Sequence, residues 1–166
     1  NNECSGITLL TYLAKWLSKQ NKKYSYRIVF VPETIGALCF IKENYHKLKK
    51  NVIGGYTITC VGDERTFSFL PSRSGNTLSD KIAIKILKAS KKPFKTFKWL
   101  DRGSDERQHC SPNLNLPIAS VMRSKYGTYK EYHTSLDDLK KVVTNKGLNQ
   151  SLDIYKKIIN IFENNY

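Results

Sequence analysis

The sequence predicts an α/β domain on a mostly parallel or mixed sheet, and three observations carry that expectation. Short apolar, β-branched runs alternate with segments of helical periodicity. The chain is 166 residues long, one domain's worth, enough to bury a sizeable core. Acidic residues are scarce in it, yet they recur just after the apolar runs.

In chain order, Ser5 caps a helix over residues 6–20, where Leu9, Leu10, Leu13 and Leu17 recur at helical spacing. Residues 24–31, YSYRIVFV, read as a first buried strand, which Pro32 ends. A helix over 33–50 follows, with Ile35, Leu38, Ile41, Tyr45 and Leu48 on one side. Residues 51–62 form the second strand, ending at Asp63, and the Pro/Gly-broken stretch FLPSRSGN is a loop. Thr77 then caps a helix over 78–90, with Asp80 in the place of a capping-box acid. FKTFKWL is the third strand, SDERQHC a helical turn, NLPIASVMRS the fourth strand and KYGTYKEYHTSLDD a loop. A long amphipathic helix over 148–165 closes the chain. Only about four strands are legible, few for a sheet covered on both faces, so further strands are expected upstream of residue 1.

Composition bounds the function. Lys+Arg number 28 against 14 Asp+Glu, a net charge of +14 that favours polyanions at low salt. The lysines are scattered, however, and no zinc-finger spacing, RNP-like aromatic motif or Gly-rich RNA loop accompanies them. A nucleic-acid partner is therefore not expected. No apolar run approaches the ~18–20 residues of a membrane span, so no membrane partner is expected either. Cys4, Cys39, Cys60 and Cys110 are widely spaced with no C-x-x-C pair, which reads as a reducing, cytoplasmic location.

The acids make a pattern. Glu33 follows the first strand, Asp63 the second, Asp101 and Asp105 the third, and His133 with Asp137 and Asp138 the fourth. Ligands of open α/β sheets bind beyond the carboxyl ends of the strands. Carboxylates and an imidazole meeting there would repel or bind a divalent cation, and zinc suits oxygen and nitrogen ligands. Each residue also has an ordinary use. Glu33 suits a helix first turn, Asp105 a helix cap, Asp63 a turn, and Asp101 a local pair with Arg102 or Arg107.

Four segments in order resemble the co-catalytic zinc aminopeptidases: NNECSG, VFVPETIG, GSDERQ and EYHTSLDD. The chain is more similar still to a bacterial aminopeptidase-like subgroup associated with polysaccharide biosynthesis. The segments FVPETIG, LPSRSGNTLSDK, LDRGSDERQ and SVMRSKYGTYKEYHTSLDDL carry that likeness. The resemblance implies a three-layer α-β-α, zinc-exopeptidase-like fold of the phosphorylase/hydrolase-like type. Residues 1–166 would be the C-terminal portion of the catalytic domain, with N-terminal strands and one metal-binding histidine upstream.

It also implies roles. Glu33 matches the general base, Asp105 and His133 match metal ligands, and Asp137 a second acid orienting the histidine, with Arg102 and Arg107 balancing charge. Asn2 stands where the family has a metal-bridging aspartate, and Thr34 where it has a second ligand glutamate. One zinc is thus expected rather than two. The implied activity is hydrolysis of a peptide or small amide substrate, by a monomer or a homo-oligomer. The competing readings are a non-catalytic binding or scaffold domain in cell-surface polysaccharide assembly and a polyanion-binding module.

Overall fold

A computed structural model describes residues 1–165. The element order is α1 (Cys4–Leu17), α2 (Ile35–Asn51), β1 (Gly55–Tyr56), β2 (Phe67–Leu70), α3 (Leu78–Ala89), β3 (Phe94–Thr96), α4 (Glu106–His109), β4 (Ile118–Met122) and α5 (Asn145–Asn165), with a 3-10 turn at Trp99–Asp101. The sheet runs β1-β4-β2-β3. β1 with β4 and β2 with β3 are parallel, whereas β2 with β4 is antiparallel, so the sheet is mixed.

Strand alternation sorts the core into layers. Phe67, Phe69, Ala119 and Val121 face the main core, where Leu9, Leu13 and Leu17 of α1, Ile82, Ala83 and Ile86 of α3 and Ile158 of α5 meet them. Ile118 instead joins a smaller cluster with Leu48, Leu114 and Leu116. Helices therefore cover both faces, α1, α3 and α5 on one and α2 with α4 on the other.

Helix α3 forms as the sequence predicts. The Thr77 hydroxyl accepts from Asp80 N, and the Asp80 carboxylate accepts from Thr77 N at 2.8 Å, closing the capping box. Helix α1 differs at its start. Glu3, not Ser5, occupies the cap position, and the Ser5 hydroxyl ties the chain inward, donating to Asn1 O and accepting from Val61 N. Gly6 lies so close that any β-carbon there would overlap the Ile58 carbonyl. That approach presses residues 1–3 onto the segment that follows β1.

Three strand expectations change. Residues 24–31 form no strand: Tyr24 lies in a bend, 25–31 carry no regular secondary structure, and the four-stranded sheet does not include them. The second strand shrinks to Gly55–Tyr56, with no regular structure over 57–59. Phe67–Leu70, unassigned in the sequence except where it enters the loop FLPSRSGN, is the strand that joins the two parallel pairs. Four residues between turns are too few for periodicity to reveal.

Candidate active site

The N-terminus of α2, the N-terminus of α1, the turn before α4 and the loop after β4 meet at one end of a groove of about 1220 Å³. Asn2, Glu3, Glu33, Ser104, Asp105 and Tyr132 line this end. Asp105 Oδ1 accepts from Thr34 N at 2.8 Å, joining the turn before α4 to the residue beside Glu33. Thr34 holds a positive φ of 64°, a conformation costly for a β-branched side chain, and the Asp105 bond helps fix it. His133, also at positive φ (57°), stacks on Tyr132 with ring centroids 3.9 Å apart.

The structure thus brings Glu33, Asp105, His133 and Asn2 into one neighbourhood, across more than a hundred residues of sequence. Asn2 Nδ2 donates to Glu3 Oε1 at 2.7 Å and lies 3.3 Å from His133 Nε2. Its backbone carbonyl accepts from Thr59 Oγ1 at 2.7 Å and from Cys60 N at 3.3 Å. An amide nitrogen therefore faces the histidine where the resembled enzymes place a bridging carboxylate.

Other predicted residues lie elsewhere. Asp137 accepts from the N-terminal amine at 2.8 Å, from Asn2 N at 3.2 Å and from the Tyr129 hydroxyl at 2.8 Å; it anchors residues 1–2 rather than His133. Arg102 stacks over Trp99 and donates to its carbonyl, and exposed Arg107 donates to Ser104 O, so neither guanidinium bonds to Asp105. Asp101 caps its own 3-10 turn by accepting from Lys98 N. Asp63 is buried and accepts from Asn1 Nδ2, Arg65 N and both donors of Ser124.

Two acids escaped the sequence. Glu3 joins the cluster from the cap position of α1, in a motif where only its neighbour Asn2 matches a family ligand. Glu106 is buried, and its Oε1 accepts from Gly103 N and Ser104 N at 3.2 Å and from the Tyr126 hydroxyl. It holds the turn that presents Asp105. Its position beside Asp105 in SDERQ was the one available signal.

Burial lifts the Asp105 carboxyl above its ordinary value; Glu33 and Glu106 add to the rise, while Thr34 N–H and His109 oppose it. Burial, then Glu33 and Asp105, raise Glu3 in the same way, against His133 and the N-terminal amine. A carboxyl raised in the folded state stabilises only below its unfolded value, 3.8 for Asp105, and loses that contribution as pH rises through the folded value. Charged Asp105 is thus held at a cost at neutral pH. Asp105→Asn, whose amide oxygen can keep the Thr34 bond, should melt higher than the parent at about pH 7, with the gap closing towards pH 4. A lower melting temperature at pH 7 would contradict this electrostatic assignment.

Zinc, the metal implied by the resemblance, can be tested against these donors. His133 and Asp105 suit it in kind, but an open catalytic zinc site takes three protein ligands. Among the described residues no three His, Cys, Asp or Glu stand close enough to share an ion. With Asn2 an amide and Thr34 a hydroxyl, the residues present do not fit a co-catalytic pair. All four cysteines are free, Cys60 and Cys110 buried and Cys4 and Cys39 exposed. No helix among the described residues is long and apolar enough to cross a membrane.

Comparison with known proteins extends these observations. Over residues 1–165 the sequence matches the family described as Domain of unknown function (DUF4910). A Clostridium acetobutylicum protein provisionally named a polysaccharide biosynthesis protein with an aminopeptidase-like domain is 43% identical over 166 residues, which cover 99% of this chain and 37% of that protein. A crystal structure provisionally named a peptidase, also from Clostridium acetobutylicum, superposes with a TM-score of 0.95 at 41% identity, covering 99% of this chain and 38% of that one. A zinc aminopeptidase from Bacillus subtilis gives a TM-score of 0.79 at 13% identity, over 96% of this chain and 41% of its own, a likeness of fold. The aminopeptidase-like α/β fold expected from the four motifs is the fold found. The chain spans under two-fifths of the length of the relatives that share its sequence, so it corresponds to part of their domain structure.

Proposed function

Because this chain belongs to the DUF4910 family, we propose that it is the part of an aminopeptidase-like hydrolase that carries the proton-handling carboxylate, and that the substrate is a peptide or a small amide. The observation that carries this reading is the meeting of Glu33, Asp105, Glu3 and His133 at one end of an open groove. In a chain of net charge +14, a corner with three carboxylates is a local reversal of sign. It suits the ammonium group of a substrate's amino end.

Glu33 is the residue assigned to proton transfer. It would accept a proton from the water attacking the carbonyl and pass it to the departing amine nitrogen. Asp105 would hold Glu33 in place through the Thr34 N–H, and Glu106 would hold Asp105 through Gly103 and Ser104. Burial and mutual repulsion make the charged forms of Asp105 and Glu3 costly, and an incoming cation would relieve that cost. Zinc enters this proposal at no more than one ion per chain.

A second reading is favoured by one observation, the Asn2 amide facing His133. Here the groove is kept for binding, and the protein is a non-catalytic aminopeptidase-like domain in polysaccharide assembly. Elemental analysis separates the two. About one zinc per chain, lost in Asp105→Ala and in His133→Ala, is expected of the hydrolase. Two ions per chain would sink the reading of Asn2 and Thr34 as lost ligands. Absence of bound zinc even after its addition would favour the binding domain.

A further inference from the structure

A second, smaller pocket of about 310 Å³ opens beside the loop after β4, and strand pairing sets its floor. Ser68 of β2 is in register with Lys95 of the parallel strand β3, and residues paired across a sheet share a face. Phe67, Phe69 and Phe94 pack into the main core, so Ser68 and Lys95 point the other way, into this pocket. Arg65 enters from the segment before β2, and Lys130 and Glu131 enter from the loop.

The groups that reach the pocket are donors without acceptors. Ser68 is 1% exposed, and its hydroxyl makes no hydrogen bond among the described residues. Buried hydroxyls are almost always paired, and one left unpaired costs stability. The other hydroxyls here are already used. Thr66 donates to Pro93 O, Thr128 to Lys125 O, Ser124 to Asp63 and Tyr129 to Asp137. Lys95 and Lys130 form no ion pair among the described residues. Arg65 places Nη2 against both oxygens of Glu131, at 3.0 and 3.1 Å, and its Nε and Nη1 meet no acceptor among the described residues. Glu131 is thus matched by Arg65, and the charges of the two lysines are left over.

We propose that this pocket binds a phosphate group, either as inorganic phosphate or as the monoester of a small organic molecule. A phosphate brings a charge of about −1.5 to −2 and oxygens that accept strongly, the complement of what the pocket offers. The two lysines hold it as point charges, Arg65 through its unused nitrogens, and Ser68 by donating its hydroxyl from the sheet. The volume is at the small end of the ~300–1,000 Å³ typical of ligand pockets, which suits a phosphate with a short organic part. The site is separate from the acidic corner, because the two cavities share no lining residue. Tyr129 stands between them, its ring 5.8 Å from the Arg65 guanidinium and its hydroxyl on Asp137. The inference therefore stands whether or not Glu33 is catalytic.

Calorimetric titration of the full-length protein with inorganic phosphate and with glycerol 3-phosphate, at constant ionic strength, tests it. About one ligand per chain is expected, with a dissociation constant of about 1 mM or tighter. Ser68→Ala should weaken binding roughly tenfold or more, as expected for loss of a hydrogen bond to a charged group. Lys95→Gln combined with Lys130→Gln, both at exposed positions, should weaken it at least as much. Tighter binding of glycerol 3-phosphate supports the proposal with an ester as ligand, and tighter binding of phosphate supports it with the free ion. Without ligand, Ser68→Ala should melt no lower than the parent, because its hydroxyl has no partner to lose. A lower melting temperature would overturn the place of Ser68 in the site. No saturable binding of either probe at about 10 mM would overturn the proposal. So would binding that neither the Ser68 nor the lysine variant weakens, which would belong to the diffuse charge of a +14 chain.

Discussion

Glu33→Gln in the complete gene product should lower hydrolysis of an aminoacyl p-nitroanilide by roughly 10²–10⁴-fold, the contribution of a positioned general base. Glutamine keeps the size of the side chain and removes the basic oxygen. The loss should fall on kcat, because accepting a proton matters in the transition state more than in the bound substrate. Melting temperature should stay close to that of the parent, since the Thr34 N–H to Asp105 bond is formed by neighbouring groups and is untouched. A variant retaining more than about a tenth of parental kcat would remove Glu33 from proton transfer. Loss of folding together with loss of activity would instead mark it as a structural acid at the start of α2.

The fold was legible wherever the signal was local. Helix α3 is specified by Thr77 and Asp80 within one turn and by Ile82, Ala83 and Ile86 at helical spacing, and it appears as read. The run at 24–31 shows the opposite case. Its β-branched and aromatic residues announce a strand buried on both faces, yet a strand needs a partner, and pairing is non-local. Among the described residues it is therefore irregular and lines the groove, outside the sheet. Phe67–Leu70 was hidden for a different reason: a four-residue strand offers too little pattern.

The candidate site's residues were drawn together in the sequence by motif resemblance, not by chemistry alone. Glu33, Asp105 and His133 are separated by 72 and 28 positions in sequence, and each has an ordinary reading taken singly. What sequence could not sort was which acids face the groove and which face inward. Asp63, Asp137 and Glu106 look no different in the sequence from Glu33 and Asp105. Only the tertiary structure turns Asp63 toward Ser124, Asp137 toward Tyr129 and Glu106 toward Gly103.

Asp63 makes the strongest structural prediction. Its carboxylate is 1% exposed and accepts four hydrogen bonds, from Asn1 Nδ2 at 3.0 Å, Arg65 N at 2.8 Å, Ser124 N at 2.9 Å and Ser124 Oγ at 3.2 Å. Its charge also steadies buried Arg123, whose guanidinium is pushed down by burial and held up by Asp63. Asp63→Ala leaves those donors unpaired and removes the larger of the two acids that support Arg123, a change worth about 3–5 kcal/mol. For a chain of this size that is roughly 6–20 °C in melting temperature. Asp101→Ala, which removes only a local contact at an exposed turn, should cost less than about 1 kcal/mol. The contrast matters because Asp63 grips Asn1, and Asn1 leads directly into Asn2 and Glu3 at the groove. Loosening that anchor should weaken the corner as well as the core, whereas Glu33→Gln should silence the chemistry and leave the fold intact. If Asp63→Ala melted within about 3 °C of the parent, less than 1–1.5 kcal/mol, the buried carboxylate would not be the anchor this geometry makes it.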